Sequence, residues 1–456
     1  MTRFAMRKTW TALLLALCFP VLSRGAEYAL EDCLRIAEEK SSDIRDYREQ
    51  IAKVDAQISE AYGNAMPSID FSAQFTRDWY DAAKTGSTPA FLDPNDPAFD
   101  ASAAMAAGFL GSSMAPKPWQ LQAGLTLTQI LYAQGKVSTG VDIAKETKRM
   151  MEVQLDAKLR DLSSNVRKTF MQVLYVEEAV AVYDSAVAQA GRYRELAQSM
   201  YEQGMANELT ALRARVSEED LVAGQRKMQA DLQLLRYSLL NVMGLEADST
   251  ARFVGTLDGD LPRVELEEAV SAAMANRQEL KQLERGRKIQ EKLVDIQTAN
   301  YKPTVVLGAA YTKTGGWDEF SDIDFEMGTD KRIFLMASWN IFNGMQTKNK
   351  AAQARTEVRR MEISDETARR GIRLEIESLW NAYEEAVSRL PVRERQEELS
   401  KKALEIAEKT WAVGNSTQLV LLDAQLSWRN AKLDLLKARM DAQVAYRALE
   451  AAQGKR

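Results

Sequence analysis

Histidine is absent from all 456 residues. That excludes histidine-based catalytic triads, most zinc sites and the side chain that most often moves protons near neutral pH. Cysteine is nearly absent, with Cys18 and Cys33 alone. Cys18 lies in Met1–Gly25, which reads as a secretory signal. It has basic Arg3, Arg7 and Lys8, an apolar core from Trp10 to Leu22, then small Ser23, Gly25 and Ala26. Leu17 before Cys18 is a poor fit to a lipoprotein cleavage site, so no lipid anchor is expected there. Cleavage leaves Cys33, which the internal repeat aligns with Ala269, so it is expected to be a small packed residue with no intrachain disulfide. Long hydrophobic runs are missing as well. Beyond the signal nothing approaches about 18 consecutive apolar residues, which excludes a transmembrane helix. A basic excess is lacking too: the signal takes four basic residues and no acid, moving the formal charge from −5 to −9. Nucleic acid is therefore not an expected partner. The chain is exported, and any membrane insertion has to use strands.

What the chain has in abundance is repetition. Residues 144–215 match 354–425 without a gap, pairing Ala144/Ala354, Arg149/Arg359, Met151/Met361, Glu152/Glu362, Gly204/Gly414, Leu209/Leu419, Leu212/Leu422 and Ala214/Ala424. A second register, 236 apart, pairs Leu30/Leu266, Glu31/Glu267, Ala37/Ala273, Asp43/Glu279, Ile44/Leu280 and Pro67/Pro303. The chain is a tandem duplication, with repeats at 26–260 and 261–456.

Each repeat reads helix, strand, loop, strand, very long helix, glycine turn, helix. In the first repeat a helix runs from Ala29 to Met66 and Pro67 stops it. Strands follow at 68–78 and 119–129, a long helix at 135–203, and a helix at 207–245. The second repeat offers a helix at 265–302, strands at 304–312 and 333–342, a long helix at 345–413 and a helix at 417–452. Ile69, Phe71, Ala73 and Phe75 alternate with Asp70, Ser72, Gln74 and Thr76, and the other strands alternate likewise. Strands of about nine to eleven residues cross a bilayer when tilted. Trp79, Tyr80, Trp119, Tyr132, Tyr301, Trp317, Phe320, Trp339 and Phe342 gather near the strand ends, as in the girdles of a membrane barrel. A half-buried soluble sheet also alternates, but it has no need of aromatics at its ends.

The connection at 79–118 holds five of the nine prolines outside the signal and is irregular chain. Its counterpart, about Lys313–Arg332, is shorter and acidic. Each long helix reaches about 100 Å, and each short one about 55–60 Å. Two short helices end to end match one long one, which fits a cylindrical wall. Pro391 predicts a kink or loosened turn in the second long helix. Four strands cannot close a barrel, since the smallest bacterial barrels use eight, so the chain has to associate.

The sharpest local motif occurs twice. Tyr201, Gly204, Asn207 and Leu209 recur in logic as Trp411, Gly414, Thr417 and Leu419. Glycine takes the left-handed position that ends the long helix. Asn207 or Thr417 then accepts from free N–H groups to start the next helix, and the leucine covers the turn. An ordinary helical hairpin shares this chemistry. No catalytic constellation is present: Glu177–Glu178 and Glu384–Glu385 have basic neighbours and read as solvated helix faces. Methionines are scattered, and neither a cofactor nor a metal site is expected.

The leader YALEDCLRIAEEKSSDI, the proline before each strand pair, the duplication and the second tip (Gly414, Leu419, Leu422, Asp423, Ala424, Gln425) resemble the TolC-type outer-membrane factor family over residues 27–453. The resemblance implies a mixed α/β membrane protein: a homotrimer whose twelve-stranded β-barrel, four strands per chain, meets outer-membrane lipid. A twelve-helix α-barrel would continue into the periplasm. It implies an exit duct, not an enzyme, that docks a periplasmic adaptor (membrane fusion) protein and an inner-membrane pump through its tips. It also implies a gate. In the family's best-known member, acids six and nine positions after the second tip glycine, and six after the first, narrow the periplasmic entrance. Here Asp423 fits, whereas Val420 and Thr210 replace the other two, and Trp411 keeps the family's aromatic. Asp423 and Trp411 are thus the gate candidates, with a solvated carboxylate near a helix N-terminus as the bland reading of Asp423. An exported coiled-coil scaffold without a pore is the rival architecture. It explains the helices but not the strands.

Overall fold

The computed structural model describes residues 27–77, 79, 117–323, 327–413 and 415–455. The signal with Cys18, Tyr80, Gly414 and most of the 79–118 connection lie outside the described residues. In chain order the elements are β1 (Glu27–Ala29), α1 (Leu30–Lys40), α2 (Ser42–Gly63), β2 (Ser68–Arg77), β3 (Trp119–Tyr132), α3 (Lys136–Glu202) and α4 (Glu208–Val242). They continue with β4 (Arg252–Val254), α5 (Leu266–Asn276), α6 (Gln278–Ala299), β5 (Thr304–Trp317), β6 (Gly328–Ser338), α7 (Gln346–Ala412) and α8 (Gln418–Ala452). None of the described helices is long and apolar enough to cross a membrane. Contacts gather the chain into two compact units. One joins Met1–Arg45, Lys158–Asn276 and Ile372–Arg456; the other joins Asp46–Ala157 and Arg277–Gly371. Each therefore draws on both repeats.

In the first unit Cys33, Ala37, Val166, Phe170, Leu239 and Leu436 form a buried core. β1 pairs in parallel with β4, and Tyr28 stacks on Phe253 at 5.8 Å. Cys33 is fully buried, and burial, helped by neighbouring Asp32, pushes its thiol up to about 12. Its repeat counterpart Ala269 is buried too, as expected for small packed residues. The linker between the repeats is pinned by Tyr383 Oη donating to Pro262 O at 2.7 Å and by Trp380 Nε1 donating to Val264 O at 2.8 Å.

The single helices expected at 29–66 and 265–302 are each broken once. Ser41 (φ −54°, ψ 130°) separates α1 from α2, and Arg277 (φ −57°, ψ 130°) separates α5 from α6. These positions are equivalent in the 236-residue register. The cause is tertiary. α4 ends on Gly244 (φ +72°), where a Cβ would lie 2.5 Å from Lys40 O. α8 ends on Gly454 (φ +74°), where a Cβ would lie 2.8 Å from the Cβ of Asn276. In both repeats the last helix seats its terminal glycine against the break in the first helix. Apolar spacing runs straight through such a junction and gives no sign of it. Gly244→Ala should lower the thermal midpoint followed by circular dichroism by at least about 3 °C, from left-handed strain of about 1–2 kcal/mol plus the clash. Gly63→Ala, with nothing within 4 Å of its Cβ, serves as the control and should not lower it. α7 continues through Pro391 without a break in its assignment.

In the second unit, ion pairs tie the helices together: Lys148–Asp55 at 2.7 Å, Arg285–Glu146 at 3.2 Å and Lys292–Asp142 at 3.0 Å. Its sheet has the order β2-β3-β5-β6, antiparallel throughout. The register makes one face apolar, with rows Ile69–Leu127–Ala309–Ile333 and Phe71–Leu125–Tyr311, and the other polar, with Asp70–Thr126–Ala310–Arg332 and Gln74–Gln122–Thr314. The apolar face is open: Ile69 is 68 % exposed, Phe71 70 % and Ile333 81 %. The outer edges of β2 and β6 have no strand partner among the described residues. The expected bounds 304–312 and 333–342 need correction, because β5 runs on to Trp317 and β6 starts at Gly328 and ends at Ser338. Tyr311–Thr314 pair with Lys331–Gly328 in the antiparallel ladder. Polar sequence there hides a ladder that needs no apolar side chain. β3 likewise extends to Tyr132 past a register shift at Ile130/Tyr132.

Candidate functional site

The tips lie in the first unit, where α3 turns into α4 and α7 into α8. α3 closes on Gly204 at φ +72°. Gly204 N donates to Tyr201 O at 2.9 Å and Met205 N to Met200 O at 2.8 Å, the two bonds of a Schellman stop. At the second tip Asn415 N donates to Thr410 O at 2.9 Å, the equivalent bond 210 residues on. Gly414 itself is outside the described residues.

The helix starts then diverge. Asn207 is the N-cap of α4, and its Oδ1 accepts from Thr210 N at 2.9 Å and from Thr210 Oγ1 at 2.8 Å. Thr417 occupies the same extended position before α8, but its side chain caps nothing. Its carbonyl oxygen alone serves, accepting from Val420 N at 3.2 Å. The expectation of a Thr417 side-chain cap is corrected on this point. Gln418 Nε2 donates to Thr210 O at 3.1 Å and so ties one tip to the other. Thr210 is consumed in the cap and this bridge.

Below the tips Leu404, Ala407 and Leu421 form a small core with Tyr193, Trp411 and Trp428 against it. Trp411 meets Tyr193 edge-on at 5.4 Å. Tyr193 Oη donates to Glu408 Oε1 at 2.9 Å, and Gln189 bonds the same carboxylate. Burial, followed by the Glu408 contact, raises the Tyr193 phenol above its ordinary value. Trp411 therefore braces the α3–α7 contact.

Leu209 and Leu419 are 51 % and 65 % exposed. With Leu212, Val216, Leu422 and Leu426 they line a groove of about 590 Å³ between α4 and α8. The spacing i, i+3, i+7 is the same on both helices, so the groove offers two matching apolar stripes. Asp423 lies exposed on its wall, and so does Arg213. These two are equivalent in the 210-residue register. The tip motif points to Asp423 alone, and Arg213 becomes visible only through that register. Tyr201, 41 % exposed, stays at the tip surface.

The profile of the outer membrane efflux protein family matches residues 33–244 and 269–455. No curated protein matches the chain by sequence. Among solved structures, a membrane protein from Pseudomonas aeruginosa is 17 % identical, with a TM-score of 0.72 over 93 % of this chain and 90 % of that one. The outer membrane protein VceC from Vibrio cholerae is 15 % identical, with a TM-score of 0.69 over 93 % and 96 %. The open state of the Neisseria gonorrhoeae MtrE outer membrane channel is 17 % identical, with a TM-score of 0.68 over 93 % and 89 %. At these identities the likeness shows the fold, and the profile shows the family. Through nearly its whole length, this chain belongs to the outer membrane efflux protein family, a family of channel proteins and not of enzymes.

Proposed function

We propose that the chain is the outer-membrane exit duct of a tripartite efflux or type I secretion assembly. It is a passive conduit that docks a periplasmic adaptor (membrane fusion) protein and receives cargo from an inner-membrane pump. Three copies associate, each giving four strands to a twelve-stranded barrel in outer-membrane lipid. The helices project into the periplasm as an α-barrel built from both repeats. The observation that carries this reading is the four-stranded sheet, apolar and exposed on one face, polar on the other, with both edges unpartnered among the described residues. A soluble sheet buries such a face and protects such edges. Repetition of the sheet around an axis satisfies both, with lipid outside and water inside. A pore-free helical scaffold gives the sheet nothing to do.

The tips are the docking surface in this reading. Tyr201, Gly204, Asn207 and Leu209 form one knuckle, and Trp411, Thr417 and Leu419 belong to the other, where the sequence places Gly414. The groove beside them accepts the apolar stripe of a partner helix. Asp423 contributes a threefold carboxylate ring to the periplasmic gate. Trp411 holds the α7 end that precedes it through its contact with Tyr193. With Thr210 spent in a cap and Val420 apolar, closure rests only partly on charge.

Reconstitution in planar bilayers tests this reading. The wild type should form conducting channels. Asp423→Ala should raise single-channel conductance modestly and weaken block by divalent cations added on the periplasmic side, since three clustered carboxylates favour a bound cation. Absence of any conductance in the wild type would contradict the duct. Unchanged conductance and block in the variant would remove Asp423 from the gate.

A further inference from the structure

Charge on the apolar face of the sheet lies only from its middle row to the end away from the helices. Its rows run from Val305–Ala337, beside the helices, to Arg77–Trp119–Trp317 at the far end. The helix-side rows hold no charged residue. Lys331 stands in the middle row, and Lys313 and Arg77 lie beyond it; no carboxylate stands on this face from the middle row outward. Lys313 is paired with Thr329, and Lys331 with Tyr311, so the two lysines are diagonal neighbours on adjacent strands. Lys331 Nζ sits 5.6 Å from the Tyr311 ring centroid, and the Arg77 guanidinium lies 4.6 Å from both the Trp79 and Trp119 rings. Trp119 stacks on Phe75 at 5.5 Å and meets Phe320 at 5.1 Å, forming an aromatic belt at this end. Beside Lys331 a groove of about 600 Å³ is walled by Ile69, Leu125, Leu127, Tyr311 and Ile333, with Lys331 and Arg332 also lining it.

We propose that this patch binds an anionic lipid, whose phosphate charge no choline or other headgroup cation balances, in the leaflet on the side away from the helices. The phosphate is held by Lys313 and Lys331, and an acyl chain lies in the groove. The inference rests on the reading of the sheet as a lipid-facing barrel wall. Lysine on such a wall is unfavourable unless its ammonium reaches an anionic headgroup. Lys313 is four residues from Trp317, about 13 Å along the strand, and less in depth because barrel strands tilt. Its flexible stem spans the remainder, with the methylenes on apolar surface and the ammonium at headgroup level. The unequal ends select the lipid. A net-neutral lipid supplies no counter-charge for two lysines that lie from the middle row outward, whereas an anionic phosphate above alkyl chains matches both the cations and the groove beside them.

The test uses the full-length protein in nanodiscs of phosphatidylcholine containing a minor fraction of lipid A, with bound lipid counted by native mass spectrometry. The wild type should retain lipid A in preference to phosphatidylcholine, and excess inorganic phosphate should not displace it. The double variant Lys313→Gln/Lys331→Gln should bind lipid A roughly thirty-fold more weakly. Lys313→Arg/Lys331→Arg should keep it, as should Lys136→Gln/Lys302→Gln at the helix-side end. Retention by the glutamine variant equal to wild type, or displacement by inorganic phosphate, overturns the proposal while leaving the duct intact. A chain that never enters the nanodisc overturns both.

Discussion

Gly204→Val should cut export at least about tenfold while the protein reaches the membrane at its normal level. Gly204 sits at φ +72°, and nothing lies within 4 Å of a Cβ built there. Any effect of the substitution is therefore backbone strain and not a clash. Side chains other than glycine pay about 1–2 kcal/mol in the left-handed region, and β-branched ones most. That strain falls on the two Schellman bonds from Gly204 and Met205. It loosens the turn that presents Tyr201 and Leu209. A loss of about 1.4 kcal/mol in docking is a tenfold loss of occupancy below saturation. Gly204→Asn should restore most of the export, because asparagine tolerates the same backbone region. Export of a dye or reporter substrate, scored against surface level, decides it. Full export by the valine variant would reduce the tips to plain hairpins.

A second large effect should separate the two faces of the sheet. Ile333→Arg should abolish stable insertion, whereas Thr126→Arg should assemble normally. Ile333 is 81 % exposed on the apolar face, in the row of Ile69, Leu127 and Ala309. A lipid-facing arginine costs about 2–4 kcal/mol near the bilayer midplane, and a trimer would incur that cost three times. Thr126 lies between Asp70 and Ala310 on the polar face, which faces water in a barrel. Fractionation of the two variants with detergent-extracted outer membrane reads the difference directly. If Ile333→Arg fractionates like the wild type, the apolar face does not meet lipid.

Much of this was legible from the residues because the periods are clean. Ile69, Phe71, Ala73 and Phe75 alternate without exception, and the observed register puts them on one face. Gly204 announced a helix stop, and the main chain makes one. What escaped the sequence lies where tertiary contact or main-chain pairing overrides pattern. The breaks at Ser41 and Arg277 exist because glycines about 200 residues later in the chain approach them. Gly328–Arg332 pairs in the ladder although its side chains are polar. The absent cap at Thr417 shows the same limit at the tips, since a hydroxyl with the right position still left the cap to its own carbonyl. Arg213 was visible only through the repeat, as the opposite-charge counterpart of Asp423.

The most direct measurement is the mass of the purified protein by light scattering, corrected for bound detergent. A particle about three times the mass of one mature chain, soluble only with detergent, is the expected result. A monodisperse single chain that is stable in detergent-free buffer would contradict it, because such a chain would leave its apolar sheet face and both sheet edges open to water.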